Sequence, residues 1–306
     1  MKKTLATLAA CVLLAGCGSA VITKGSAPET GAKVFAITRP AATAACNPKA
    51  SSLAPQGPPR VTSGSYMATI KARGYLIAGV DQSTYHFGFL NPLDKQIEGF
   101  DIDMIHAVAK AIFGNPDAVE FKAITDQERI PDILNGSVDI VAHTMTITCA
   151  RLQQVDFSTV YFDAAQRVLV QNDSTATSLA DLKGQRVCAT EGSDSLGVIK
   201  QYGAIPVSVA YWTDCLVLLQ QDNVAAISTD DAILAGLAAQ DPFTKLIGPR
   251  LTDEPYGLAI SKQHPDFVRF VNGVLAQLRS DGQWAASYKH WVGTSVPAPP
   301  LAQYAS

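Results

Sequence analysis

Residues 99–114 read GFDIDMIHAVAKAIFG, and two aspartates near the start, Asp101 and Asp103, admit opposed readings. Carboxylates one residue apart could form a metal site or an acid–base couple, or they could begin a helix. Spacing decides for the helix. Ile102, Ile105, Val108, Ala109 and Ile112 recur at steps of three and four, which places them on one face. Acidic groups in a first turn sit against the positive end of the helix dipole and can accept its free N–H groups. Gly114, Asn115 and Pro116 supply the stop. No His or Cys stands at ligand spacing beside the pair, which argues against a metal.

On either side of this helix the pattern alternates. Helix signals (MATIKARG, then RIPDILNG) are interleaved with short apolar strands: YLIAGV, AVEFKAI, VDIVAHT, RVLVQ, QRVCAT and AAIST. Strand and helix in alternation predict an α/β fold with largely parallel sheets, whose ligand sites lie beyond the strand C-termini. No repeat of fixed period occurs.

The chain has 306 residues, 47% of them hydrophobic and 17% charged, enough apolar material for one large or two ordinary domains. A formal charge of -3 provides no basic field, so nucleic acid is not an expected partner. Lys2 and Lys3 precede the apolar run LATLAACVLLA, which has the length of a signal-peptide core and is too short to span a bilayer. The run ends in Leu14-Ala15-Gly16-Cys17, which resembles a bacterial lipobox. Residues 1–17 are thus expected to be a lipoprotein signal with Cys17 as the lipid attachment, giving an exported protein anchored to the outer face of the cell membrane. Residues 18–63 are rich in Ala, Ser, Thr, Gly and Pro and show no period, which predicts a tether. A free stretch over 18–45 would reach roughly 30 Å.

Of six cysteines, Cys11 leaves with the signal and Cys17 carries lipid, so Cys46, Cys149, Cys188 and Cys215 remain. An even number in an oxidising compartment suggests two disulfides, with three connectivities open. The Cys-x-x-Cys spacing of a zinc or redox site is absent, and no metal or cofactor is expected.

The run Gly99-Phe100-Asp101-Ile102-Asp103-Met104 with Val108, Ala109 and Ile112 resembles the signature of the polar amino-acid-binding proteins of bacterial ABC importers, solute-binding protein family 3. Further stretches agree in order and spacing: VDIVAHTMTITCARLQQVDFS (138–158), LKGQRVCATEGSDSLG (182–197), AAISTDDAIL (225–234), EPYGLAISK (254–262) and FVNGVLAQLRSDGQWAASYKHWVG (270–293). The resemblance covers about 64–293. It implies a type II periplasmic-binding-protein fold, two α/β lobes joined by two crossing strands with the ligand in the cleft. Lobe one would comprise 64–160 plus 259–295 and lobe two 166–253, with the crossings at 161–165 and 254–258. Under that division Cys188 is expected to pair with Cys215, and Cys46 with Cys149.

A free amino acid carries an ammonium and a carboxylate into the cleft, and burying either unpaired costs several kcal/mol. The resemblance places Arg151 as the fork for the carboxylate, with Thr146 adding a hydroxyl or N–H and Thr144 a carbonyl to the ammonium. It places Asp230 at the ammonium, with Asp231 as rival and helix capping as the alternative for both. Ser193 and Asp194 would close over the carboxylate from lobe two. Asp126-Gln127-Glu128-Arg129-Ile130-Pro131 resembles the segment of acidic-amino-acid-binding members whose Arg reaches a distal carboxylate, which makes Arg129 the specificity candidate; a surface helix residue is the other reading. His86 and His143 are weaker candidates. Where many relatives carry a stacking aromatic residue, this chain has polar Gln82 to Thr84 and Asp126, which disfavours a large apolar or fully basic ligand side chain.

The function these expectations imply is a monomeric receptor that delivers glutamate, aspartate or their amides to a membrane permease of an ABC importer. An amino-acid sensor reporting to a membrane signalling protein is the alternative. No Gly-x-Ser-x-Gly, His-Glu-x-x-His or Walker motif supports an enzyme.

Overall fold

The computed structural model describes residues 46–305. The signal, Cys17 and the tether as far as residue 45 lie outside the described residues. The remainder builds two main sheets and a small antiparallel one in which the hairpin Ser83–Thr84, Gly88–Leu90 pairs on with Ile97–Glu98. The first has the order Val119–Ala123, Leu76–Val80, Ile140–Ala142, Ala259–Ile260, Asp156–Phe157, and the second Ile205–Val209, Arg186–Thr190, Ala226–Asp230, Phe162–Gln171, Thr244–Ile247. In each, the first three strands are parallel and the last two join antiparallel. The expectation of largely parallel sheets is corrected accordingly. The chain changes lobes twice, and a strand that arrives from the other lobe enters against the local direction.

Phe162–Gln171 makes the outward crossing. Its first four residues pair antiparallel with Asp253–Tyr256, from Phe162↔Tyr256 to Ala165↔Asp253, and its remainder lies in the second sheet. Two adjacent strands with few neighbours are the connection about which such lobes turn. The first sheet is covered on both faces. Ile140, Ala142 and Ile260 belong to one apolar cluster, whereas the alternating Val141 and Ala259 belong to another. A third cluster fills the second lobe.

The helix forms as the spacing requires, over Phe100–Phe113, with Ile102, Ile105, Val108, Ala109 and Ile112 buried and Gly114 in the left-handed conformation at its end. The two aspartates do not cap it. The cap position is Gly99, where a Cβ would lie 2.1 Å from the Phe87 carbonyl oxygen, so only glycine fits. Asp101 is fully buried and accepts the Thr144 N–H and the Tyr161 hydroxyl, each at 2.7 Å. Asp103 accepts the Ser287 hydroxyl at 2.6 Å and the Trp291 indole N–H at 2.8 Å, fastening the last helix, Gln283–Trp291.

Residues 46–63 are not a free tether. Leu53 and Val61 pack against the lobe-one core, and buried Asn272 donates to Ser52 Oγ and to the Leu53 carbonyl, both at 2.7 Å. The Ser52 hydroxyl donates to the Phe157 carbonyl at 2.6 Å, and Ala305 N–H donates to Ser52 at 2.8 Å. A few apolar side chains in a proline-rich extended strap suffice to hold it down. Lobe one thereby extends past 295 to include the tail. Cys46 is bonded to Cys149 and Cys188 to Cys215.

Candidate functional site

The seven residues singled out from the sequence, Arg129, Thr144, Thr146 and Arg151 in lobe one and Ser193, Asp194 and Asp230 in lobe two, line one narrow cavity between the lobes. The cleft is closed around it. Gly192 has φ +83, and a Cβ there would lie 2.7 Å from Gln127 Cα in the opposite lobe; at Gly236 it would lie 2.5 Å from the Tyr85 carbonyl oxygen. Both glycines let the lobe-two backbone touch lobe one. A larger groove between the 83–90 hairpin and lobe two, lined by Tyr85, Phe89, Leu90 and Tyr211, has no charged side chain. The polar chemistry lies in the smaller space.

Arg151 begins a single turn, Arg151–Gln153, two residues after the disulfide at Cys149. Its Nη1 donates to the Thr146 carbonyl at 2.7 Å, while Nη2 makes only long contacts, 3.3 Å to the Gly192 carbonyl and 3.5 Å to Asp194 Oδ1. A charge-assisted bond to a carboxylate runs about 2.7–2.9 Å, so this fork is underused by the protein. Thr144 takes a positive φ of 43°, its N–H held by Asp101 and its hydroxyl buried without a partner. Asp101 therefore acts on the site through the backbone of Thr144. Burial pushes its carboxyl up to about 6.

Asp230 ends the strand Ala226–Asp230 and accepts the Tyr256 hydroxyl at 2.7 Å. Burial first, then the nearby charges of Glu254 and Asp194, hold its carboxyl well above the usual range. Asp231 faces elsewhere, accepting the Ala165 N–H at 3.1 Å and standing 3.8 Å from Arg250 behind the hinge. The Ser193 hydroxyl is spent on the Thr190 carbonyl at 2.8 Å. The turn before the helix Ser195–Gln201 does not turn its Ser193 hydroxyl outward to a carboxylate. Instead it offers the Gly192 carbonyl to Arg129 and Arg151, each at 3.3 Å.

Arg129 is buried, not a surface residue, and its charge is already met. Nη1 stands 2.8 Å from Asp126 Oδ1, Nε donates to the Asp126 carbonyl at 2.9 Å, and Nη1 also donates to the His143 carbonyl at 3.2 Å. Burial works to raise the Asp126 carboxyl, but Arg129, with the Thr190 hydroxyl behind it, holds it below its ordinary value. His143 Nε2 bonds the Ile124 carbonyl at 2.9 Å and the ring lines a second, tighter space that shares Asp126 and Trp212 with the first. His86 bonds the Trp291 carbonyl and lines neither space. The polar Gln82 to Thr84 stretch is gathered by Asp81, which accepts the Gln82 N–H at 2.6 Å, the Ser83 N–H at 2.8 Å and the Thr84 hydroxyl.

The sequence reading passes over Asp126 and Trp212, with Ser195, Thr229 and Ile233, in the lining, and over Glu254 beside it. Asp126 was noted only as polar, although its distance of three residues from Arg129 is ion-pair spacing on a helical turn. Trp212 opens the helix Trp212–Gln220 and gave no motif. Glu254 lies on the returning hinge strand, its carboxyl pushed up to about 7 by burial and then by Asp194. Among the described residues no cluster of His, Cys, Asp and Glu could hold a metal, and no helix is long and apolar enough to cross a membrane.

The model for bacterial extracellular solute-binding proteins, family 3, matches residues 76–294. The ABC transporter glutamine-binding protein of Bacillus subtilis (strain 168) is 38% identical over 229 residues, 74% of this chain and 84% of that protein. The glutamine-binding protein of Geobacillus stearothermophilus is 39% identical over 204 residues, 65% of this chain and 78% of that protein. Among solved structures, an ancestral arginine-binding protein bound to glutamine superposes with a TM-score of 0.68 at 33% identity, covering 72% of this chain and 99% of that one.

Proposed function

The chain belongs to family 3 of the bacterial extracellular solute-binding proteins, and from that premise we propose that its cleft holds one free polar amino acid by both termini, with glutamine the favoured ligand. The protein is an exported receptor that serves an ABC importer through a membrane permease, and it is not an enzyme. The observation that carries the proposal is the placement of Arg151 and Asp230 on opposite lobes around one closed cavity. The Arg151 fork takes the α-carboxylate. Asp230, which burial disfavours as a lone anion, takes the α-ammonium, with the free Thr144 hydroxyl beside it. Ser193 and Asp194 close this end from lobe two.

The distal end argues for an amide over an acid. A free Arg129 would favour a second carboxylate, but Asp126 neutralises it, so a further anion would enter a pocket with no cation to spare. The likeness to two glutamine-binding proteins supports the same choice. We further infer that the protein works as a monomer and that lipid on Cys17 keeps it at the outer face of the membrane, with residues 18–45 as the tether and 46–63 as the strap that seats the lobes. Calorimetric titration of the purified protein across the twenty amino acids is the test. Binding of glutamine ahead of glutamate and aspartate is expected, and no binding of any amino acid would overturn the reading.

A further inference from the structure

Three buried polar atoms at the distal end of the cleft have no hydrogen-bond partner among the described residues: Asp126 Oδ1, His143 Nδ1 and Trp212 Nε1. All three side chains line one tight space that the cleft has closed down, and Asp126 and Trp212 also line the charged cavity. Buried polar atoms are nearly always paired, so three orphans around one space describe what that space is built to receive.

Their types are fixed by chemistry. An indole N–H only donates. Asp126 Oδ2 accepts the Thr190 hydroxyl, and Oδ1 has Arg129 Nη1 at 2.8 Å as an ion-pair neighbour without hydrogen-bond alignment, so Oδ1 keeps a free lone pair. His143 Nε2 faces the Ile124 carbonyl at 2.9 Å and must carry the ring proton to bond it, which makes Nδ1 of the neutral ring an acceptor. Nδ1 and Asp126 Oδ1 are 3.3 Å apart with no hydrogen bond between them. The subsite therefore presents two adjacent acceptors and one donor.

Building on the amino-acid reading above, we propose that Trp212, Asp126 and His143 together read the terminal carboxamide of the ligand. Trp212 N–H donates to the carboxamide oxygen, and the two hydrogens of the NH₂ go to Asp126 Oδ1 and His143 Nδ1. A carboxylate satisfies Trp212 but sets a second anionic oxygen against two acceptors. An ammonium or guanidinium satisfies the acceptors and leaves the indole N–H unmet. Of the common side-chain termini, only the carboxamide offers one acceptor and two donors.

The test compares glutamine, glutamate and norvaline, which lacks the distal polar group, on the full chain and on Trp212→Phe, which keeps an aromatic ring of smaller size and loses the N–H. Glutamine affinity should fall roughly 10- to 100-fold further than norvaline affinity does in Trp212→Phe. Asp126→Asn should narrow or reverse the preference for glutamine over glutamate. On the wild-type protein the Trp212 indole N–H resonance should move further downfield with glutamine, which bonds it, than with norvaline, which only fills the cleft, a readout that needs no variant to fold. An equal change for glutamine and norvaline in Trp212→Phe, or an indole resonance that moves no further with glutamine than with norvaline, would mean the three atoms hold water only and would overturn the proposal. If another amino acid binds better than glutamine, the carboxamide assignment fails while the receptor reading stands. If no amino acid binds, the receptor reading itself fails.

Discussion

Arg129 Nη1 lies 2.8 Å from Asp126 Oδ1 inside the closed cleft, with both side chains almost fully buried. Breaking a buried pair by removing one partner leaves the other charge uncompensated, at a cost of about 3 kcal/mol or more. Arg129→Leu is therefore expected to lower the melting temperature of the ligand-free protein and to weaken glutamine. It should not selectively weaken glutamate, since the cation was never free for it. Thermal melts with calorimetry on both ligands check this. A variant that melts normally and loses glutamate binding alone would restore the free-guanidinium role.

The two ends of the clamp act on what every amino acid shares. Arg151→Ala and Asp230→Ala should each weaken all amino-acid ligands together by about 3 kcal/mol or more, with far-ultraviolet dichroism unchanged. Wild-type affinity in either variant would mean that the corresponding ligand terminus is held elsewhere.

Closure without ligand should depend on pH. Closing brings Asp194 beside Glu254 and seals Asp230, and the closed cleft raises Glu254 to about 7 and Asp230 well above its ordinary value. Groups with raised values in the closed form bind more protons there than when open to solvent. Lowering the pH from about 7 toward 5 thus favours ligand-free closure, and raising it favours opening. A bound ammonium supplies the missing positive charge and flattens the dependence. Fluorescence energy transfer between labels on the two lobes, scanned over pH with and without glutamine, should show compaction on acidification only when ligand is absent.

The two disulfides should differ in lability and in effect. Cys188 and Cys215 are fully buried and join a core strand to a core helix, whereas Cys46 is exposed at the start of the strap. Mild reductant is expected to open Cys46–Cys149 first, freeing the strap to proteolysis and leaving the lobes folded. Replacing Cys188 and Cys215 by serine should cost about 3 to 4 kcal/mol of stability in the chain-entropy account of a loop this long. Peptide mapping after graded reduction and denaturant titration of the variant measure the two effects.

What the sequence made legible, and what it hid, follows from the range of each interaction. The helix 100–113 was readable because its apolar face repeats within four residues, and the site residues were readable because an ordered set of motifs marked the strand ends that carry them. The aspartates at its start were misassigned to capping. Their partners, Thr144, Tyr161, Ser287 and Trp291, stand dozens of residues away, and no local signal points to them. The two-residue strands Asp156–Phe157 and Ala259–Ile260 are too short for alternation to announce. The strap 46–63 lacks a period because it holds only the single turn Pro48–Ala50 and one isolated bridge, Ser52 to Tyr304, and only its disulfide partner hints at its place. Arg129 was found but not its charge balance, which rests on side-chain direction. Trp212 opens a helix that none of the ordered motifs includes, so nothing local marks it for the site.

The central claim is that one free amino acid is clamped at both of its charged termini, and two derivatives test it most directly. N-acetylglutamine lacks the ammonium that Asp230 needs, and glutaminamide lacks the α-carboxylate that Arg151 needs. Calorimetric titration of the intact protein should give tight binding of glutamine and at least a 100-fold loss for each derivative, on the order of 3 kcal/mol. Binding of either derivative as tightly as glutamine itself would contradict the account.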